Sequence, residues 1–227
     1  KTITMKNKLK IVLSLFIMIA LATSSYAQIW QWAKTGNDKQ GVGQILKIGR
    51  NGKIYIWRDY YDLNNIRTQS KFSRFEANGI KSKEILPDVP YPNGAIGADL
   101  LYIDTAETIY LVGATGDNVT LANINLPGGK YGRGYLLRID SNLSSGELLK
   151  QPFVSIIDLT MDEDGHTYIC GSGSKSPPST LDTFSFQSTN HYPFYVASLD
   201  TTFKAEWVKQ SFGGDARPYK CSLVGNN

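Results

Sequence analysis

The 227-residue chain holds two histidines, and a nucleophilic hydrolase would need one of them beside a Ser or Cys and a third orienting group. His166 ends the run Asp162-Glu163-Asp164-Gly165-His166, where Asp-Gly marks a tight turn, so it is expected to be a solvated turn residue. His191 stands in a connection and is the imidazole free to face a site. No Gly-x-Ser-x-Gly elbow accompanies either. Gly128-Gly129-Lys130-Tyr131-Gly132-Arg133-Gly134 has the composition of a phosphate loop, but its glycines run into a strand-like segment where phosphate binding needs a helix N-terminus. The carboxylates of 162–164 offer Ca²⁺ ligands without the twelfth-position Glu of an EF-hand, and a hairpin turn is the better reading. The expectation is therefore no catalytic residue, no metal and no cofactor. The Trp, Tyr and Phe side chains could stack on sugars, yet most recur at strand positions and are expected in the core. Trp30 and Trp32 alternate, so one ring should point inward and the other outward.

The elements that would position these groups recur. Leu121, Ile124, Leu126, Tyr135, Ile139 and Asp140 return sixty places on as Leu181, Phe184, Phe186, Tyr195, Leu199 and Asp200. Three copies align. Each opens with a strand (45–48, 100–103, 157–160) and a tight turn at Arg50-Asn51-Gly52, Thr105-Ala106-Glu107 or Glu163-Asp164-Gly165. A second strand follows, with Tyr55, Tyr110 and Tyr168 at one position. A longer connection leads to a third strand closed by Glu76, Asp140 or Asp200, and then to a fourth. No segment after residue 27 sustains a 3.6-residue period. The fold expected is all-β: a β-propeller of four-stranded antiparallel blades, present as a partial ring. Its blades would span about 35–86, 87–150 and 151–209, with a fourth begun at 210–227. Ile29–Lys34 resembles an isolated fourth strand, and Cys221–Asn227 the start of a first one.

Residues 1–27 have the form of a secretory signal peptide. Met5 precedes Lys6, Lys8 and Lys10; an apolar run covers Ile11–Ala22; small residues at Ser25 and Ala27 favour a cut before Gln28. The apolar run is short for ~30 Å of hydrocarbon. Four of the 24 Lys and Arg, and none of the 20 acids, lie in this leader, so the remainder is formally neutral. A nucleic-acid footprint or a polybasic membrane patch finds no support there. The location expected is secreted or cell-surface. Export permits a disulfide between Cys170 and Cys221, against the alternative of two buried thiols.

The runs Trp32-Ala33-Lys34 and Trp207-Val208-Lys209, with Asp162-x-x-Gly165-x-x-Tyr168-x-x-Gly171, resemble the secreted bacterial β-propeller repeats called SBBP. The third copy fits best; the second has Glu107 or Thr108 for the turn Gly, and the first has Arg58 for the Gly after strand two. The resemblance implies an exported protein of Gram-negative bacteria, especially Bacteroidota. It brings no catalytic residues to transfer.

Antiparallel strands send the connections after strands two and four to one rim and the short turns after strands one and three to the other. Long connections on a rigid scaffold are where binding residues concentrate. The unrepeated aromatic and cationic members there are Tyr60, Tyr61, Tyr91, Lys130, Tyr131, Arg133, His191, Tyr192, Arg217 and Tyr219. The function expected is a non-enzymatic exported scaffold binding a protein or glycan on that rim. A polysaccharide hydrolase or lyase, or a structural adhesin segment, are the alternatives.

Overall fold

A computed structural model describes residues 41–61, 67–88, 96–129, 133–152, 154–173, 179–186, 193–211 and 220. They belong to the second of the two units into which the chain divides, Asp38–Asn227. The leader, Ile29–Lys34 with both Trp30 and Trp32, and the segment from Cys221 lie outside the described residues.

All the described regular elements are strands. The first sheet is a meander of β1 (Gly41–Ile48), β2 (Ile54–Tyr61), β3 (Arg67–Phe75) and β4 (Lys81–Ile85). The second joins β5 (Ile96–Ile103) and β6 (Ile109–Thr115) to β9 (Arg133–Ile139) and β10 (Gly146–Lys150), with a hairpin of β7 (Val119–Leu121) and β8 (Ile124–Leu126) inserted. The third repeats this plan with β11 (Val154–Met161), β12 (Thr167–Gly173), β15 (Phe194–Leu199) and β16 (Ala205–Gln210) around the hairpin β13 (Ser179–Leu181) and β14 (Phe184–Phe186). Every pairing is antiparallel. The three tyrosines hold one register position: Tyr55 faces Lys47, Tyr110 faces Tyr102, and Tyr168 faces Thr160.

The β-propeller expected from the repeat is not what forms. Each four-stranded sheet is open, with two edges, and no sheet is closed or curled among the described residues. The repeat dictates how one sheet buries its face on the next, and an open stack satisfies that as well as a ring does. Closure would also require the outer face of the first sheet to be covered, whereas Leu46 and Ile48 stand exposed on it. The period identified the four-stranded unit and misassigned the architecture.

What the repeat encodes is face-to-face packing. One core joins Tyr55, Trp57 and Phe72 of the first sheet to Leu101, Ile109, Leu111, Leu137 and Ile139 of the second. Another joins Tyr110, Val112 and Leu136, on the opposite face of the second sheet, to Leu159, Ile169, Ala197 and Leu199 of the third. Neighbouring residues such as Leu111 and Val112 are thus buried on opposite sides, as the period of two requires. The inserted hairpins fill in beside these cores through Leu121, Leu126, Leu181 and Phe186. Each also reaches back to the end of the preceding sheet's last strand or to the chain just beyond it. The Thr120 N–H donates to Asp88 Oδ1 at 2.5 Å, and Lys150 pairs with Asp182. The outer strands β4, β10 and β16 carry Lys81, Lys83, Glu147, Glu206 and Lys209, charges that blunt an open edge.

Each first strand carries a bulge at an equivalent place: between Gly43 and Ile45, between Ala98 and Leu100, and between Ile156 and Asp158. In two copies the bulge is locked. Tyr135 donates its hydroxyl to the Gly97 carbonyl at 2.8 Å, and Tyr195 donates to the Ser155 carbonyl at 3.2 Å. The glycines after the second strand exist for this approach. A Cβ on Gly113 would lie 1.9 Å from the Gly97 oxygen, and one on Gly171 1.8 Å from the Ser155 oxygen. The first sheet has Arg58 and Lys71 where the others pair Gly with Tyr, so the missing glycine and the missing tyrosine go together. Gly171→Ala is expected to cost about 2–3 kcal/mol by overpacking and Tyr195→Phe about 1 kcal/mol, read from urea midpoints. An alanine variant as stable as the parent would refute the lock.

Candidate binding surfaces at the two ends of the sheets

The antiparallel meanders gather the tight turns at one end of the sheets. Tight turns close 49–53, 76–80, 104–108, 140–145, 162–166 and 200–204 at one end. The connections after β2, β4, β6, β10, β12 and β16 leave from the other.

The turns are held by their first residue. Asp104 Oδ1 accepts the N–H groups of Ala106 and Thr108, and Asp162 Oδ1 those of Asp164 and His166. The second oxygen takes the tyrosine six residues on: Tyr110 at 3.3 Å and Tyr168 at 3.2 Å. Asp140 and Asp200 clasp the β9–β10 and β15–β16 turns in the same way, with Ser144, Ser145 and Thr202 adding hydroxyl donors. In the first sheet Gly49 stands where the others have Asp, and the Tyr55 hydroxyl turns instead to the Ser141 carbonyl.

Two of these turns, with β9 and the β15–β16 turn, frame a cleft of about 730 Å³ between the second and third sheets. Its walls include Tyr102, Asp104, Tyr110, Met161, Asp162 and Phe203. The Tyr110 and Phe203 rings meet at 5.9 Å and both are buried. Burial first, then the Asp104 charge and its hydrogen bond, push the Tyr110 hydroxyl up to about 12. Tyr102 is raised by burial and by Asp104 as well. These phenols stay protonated at neutral pH, and Tyr110 donates its hydroxyl to Asp104. Burial pushes Asp140 up, but the Ser145 hydroxyl and amide, the Ser144 hydroxyl and the Asn142 amide outweigh it and hold the carboxyl at about 2. Asp162 and Asp200 are lowered by bonds of the same kind. Carboxylates held down in this manner are poor general acids, which need a raised value. The cleft is walled by groups committed to folding its own turns. Sequence reasoning missed it, although the Asp-to-Tyr spacing of six, at 104/110 and 162/168, was its visible signature.

At the long-connection end, three of the expected binding residues are described. Tyr60 and Tyr61 close β2, and Arg133 opens β9. Tyr60 is only 8 % exposed, with the Lys71 ammonium 4.7 Å from its ring centroid, so it belongs to the sheet more than to the surface. Tyr61 and Arg133 are half-buried on different sheets. Tyr91, Lys130, Tyr131, His191, Tyr192, Arg217 and Tyr219 lie outside the described residues. Beneath this end the structure adds a polar anchor absent from the sequence reading. The fully buried Asp59 accepts the Trp57 indole N–H at 3.0 Å and the Ser70 hydroxyl at 2.7 Å, and the Ile96 carbonyl of the next sheet is 3.2 Å from that hydroxyl. His166 sits in its turn with Nδ1 3.3 Å from Asp162, as a turn residue should. Cys170 is buried, and Cys221 is outside the described residues.

No protein-family model and no curated protein matches the chain. The resemblance to SBBP repeats therefore rests on short motifs alone, and its propeller component falls with the open sheets.

The clasps make acid stability a test of these turns. Asp140 has a folded value below the ~3.9 of an unfolded chain, so its contribution is complete above about pH 4 and is lost as pH falls through about 2. Urea midpoints should fall between pH 4 and pH 2, and Asp140→Asn should flatten that fall. Identical slopes for the two proteins would remove the clasp from the account.

Proposed function

We propose that the chain is an exported, non-catalytic scaffold whose stacked sheets present a protein- or glycan-binding surface on their long-connection end. The observation carrying this reading is the asymmetry of the two ends. Six short turns consume their own polar groups in backbone hydrogen bonds, while the connections at the opposite end, all but the three-residue β10–β11 link, include long segments rich in unrepeated Tyr and Arg. Tyr and Arg are the residue types enriched where binding energy concentrates. Paired strands fix the roots of those connections, and the buried Asp59–Ser70 link ties two sheets together directly below them. Rigid roots lower the ordering cost of binding. The non-catalytic part draws support from the turn carboxylates, whose values are shifted away from those useful in acid catalysis. Export is supported by the leader pattern of residues 5–27.

The test is a glycan array and a surface-protein capture assay with the full chain, comparing the parent with a Tyr61→Ala, Tyr131→Ala, Arg133→Ala, Tyr192→Ala combination. Binding should fall at least tenfold in the combination and stay unchanged in a short-turn control, Thr105→Ala with Thr201→Ala. Binding lost in the control and kept in the combination would move the site to the other end.

A further inference from the structure

The two internal contacts are built alike, but they differ at their short-turn corner. In the first, a guanidinium spans from one sheet to the next. Arg74, opposite Tyr55 in register, donates Nη1 to the Ser141 carbonyl at 2.7 Å and to Asn142 Oδ1 at 2.9 Å, both in the β9–β10 turn. The Tyr55 hydroxyl donates to the same carbonyl at 3.4 Å. From the opposite side Glu107 crosses to the first sheet, where its Oε1 accepts the Asn51 N–H at 3.2 Å.

In the second contact neither of these side chains has a like counterpart. Gly165 closes its turn at the place of Glu107 and brings no side chain. Arg138 stands opposite Tyr110 as Arg74 does opposite Tyr55, but it pairs with Glu147 on the neighbouring strand of its own sheet. Its side chain is 46 % exposed, against 13 % for Arg74. The cleft of about 730 Å³ lies at this corner. Thr201, the counterpart of Ser141, lines it. So do the rings of Tyr102, Tyr110 and Phe203, with Tyr110 6.1 Å from Tyr102 and 5.9 Å from Phe203 between centroids. Asp104, Asp162 and Glu163 add their carboxylates, and the cation among the lining residues, Arg138, is already paired. Folding the turn does not exhaust Asp104. A carboxylate offers about four acceptor sites, and the Ala106 and Thr108 amides and the Tyr110 hydroxyl take three.

We propose that this cleft binds a guanidinium group, that of an arginine side chain, in the place that Arg74 takes in the first contact. The Thr201 carbonyl corresponds to the Ser141 carbonyl that Arg74 caps. The aromatic wall stacks on the guanidinium plane, and the carboxylates supply the countercharge. A lysine ammonium matches the cleft less well, because it is compact, strongly hydrated and has no plane to stack. The site is independent of the long-connection surface and shares no residue with it.

Calorimetric titration of the full chain with N-acetyl-L-arginine amide tests this. The parent should bind it saturably at one site. The corresponding citrulline amide, of the same shape but uncharged, should bind about tenfold more weakly. Glu163→Lys reverses a charge and Thr201→Trp fills the cleft, both at exposed residues, and each should lower affinity about tenfold with an unchanged circular-dichroism melt. The Tyr61→Ala, Tyr131→Ala, Arg133→Ala, Tyr192→Ala combination should keep the parent's affinity for the arginine amide, so the two ends are read separately. No binding by the parent, or equal affinity for the citrulline amide, overturns the proposal. So does undiminished binding by a folded Glu163→Lys or Thr201→Trp variant.

Discussion

Two-sided burial of the second sheet is the constraint on which the described structure depends. Leu111 and Leu137 point to the first sheet, Val112 and Leu136 to the third, and none of the four retains solvent contact. A strand with apolar residues at consecutive positions cannot leave either face in water, so β6 and β9 require a neighbour on both sides. The flanking sheets answer this by turning a face of large apolar side chains toward it. At roughly 25 cal/mol per Å² of apolar area removed from water, the large side chains in these two contacts, such as Trp57, Tyr135, Tyr195 and Phe72, are the main source of stability. The turns, hairpins and connections are placed by strands that this burial fixes.

A second rule governs how the strands are joined. The fourth residue of each tight turn is left-handed, and the chain meets the cost in two ways. Turns opening with Gly49 or Glu76 put Gly52 or Gly79 at that place, where a missing Cβ removes the penalty. Turns opening with Asp104, Asp140 or Asp200 tolerate Glu107, Leu143 or Phe203, because the aspartate takes two or more N–H groups of its own turn. A clasp of that kind offsets the ~1–2 kcal/mol that a left-handed residue costs. Leu143 and Phe203 then use the unusual backbone to drop an apolar side chain into the adjoining core.

These rules explain which parts of the molecule the sequence disclosed. Strand order and register were legible, because alternation of period two and a turn every few residues are local signals; Tyr55, Tyr110 and Tyr168 fall on one register position as expected. The recurrence of Leu121 and Leu126 as Leu181 and Phe186 showed framework inside the long connections, though the inserted hairpins themselves were not foreseen. Architecture was not legible. A repeat describes the relation of one sheet to the next, and nothing in residues 121–140 or 181–200 says whether the series closes. The cleft escaped notice because Asp162 reads as part of a turn, which is correct, while the gap it frames with Asp104 arises between two copies of the repeat. Of the site residues, Tyr60 ends a strand, and its ring, 8 % exposed, lies under the Lys71 ammonium.

The departures of the first copy from the repeat centre on one pair of residues. In the second and third sheets the Gly–Tyr pair brings a bulged first strand close, and Gly113, Gly171, Tyr135 and Tyr195 are all buried in a contact with the preceding sheet. The equivalent positions of the first sheet pair Arg58 with Lys71. The Arg58 guanidinium lies 5.9 Å from the Phe75 ring centroid with Nη2 donating to the Ser73 hydroxyl, and the Lys71 ammonium lies 4.7 Å from the Tyr60 ring centroid. Rigidity lost with the lock is regained on the opposite face through Trp57, Asp59 and Ser70, a link the other sheets lack because Ala114 and Ser172 follow their glycines where Asp59 follows Arg58. The Arg58–Lys71 pair makes one half of its face polar, and the half around Ile48 stays apolar.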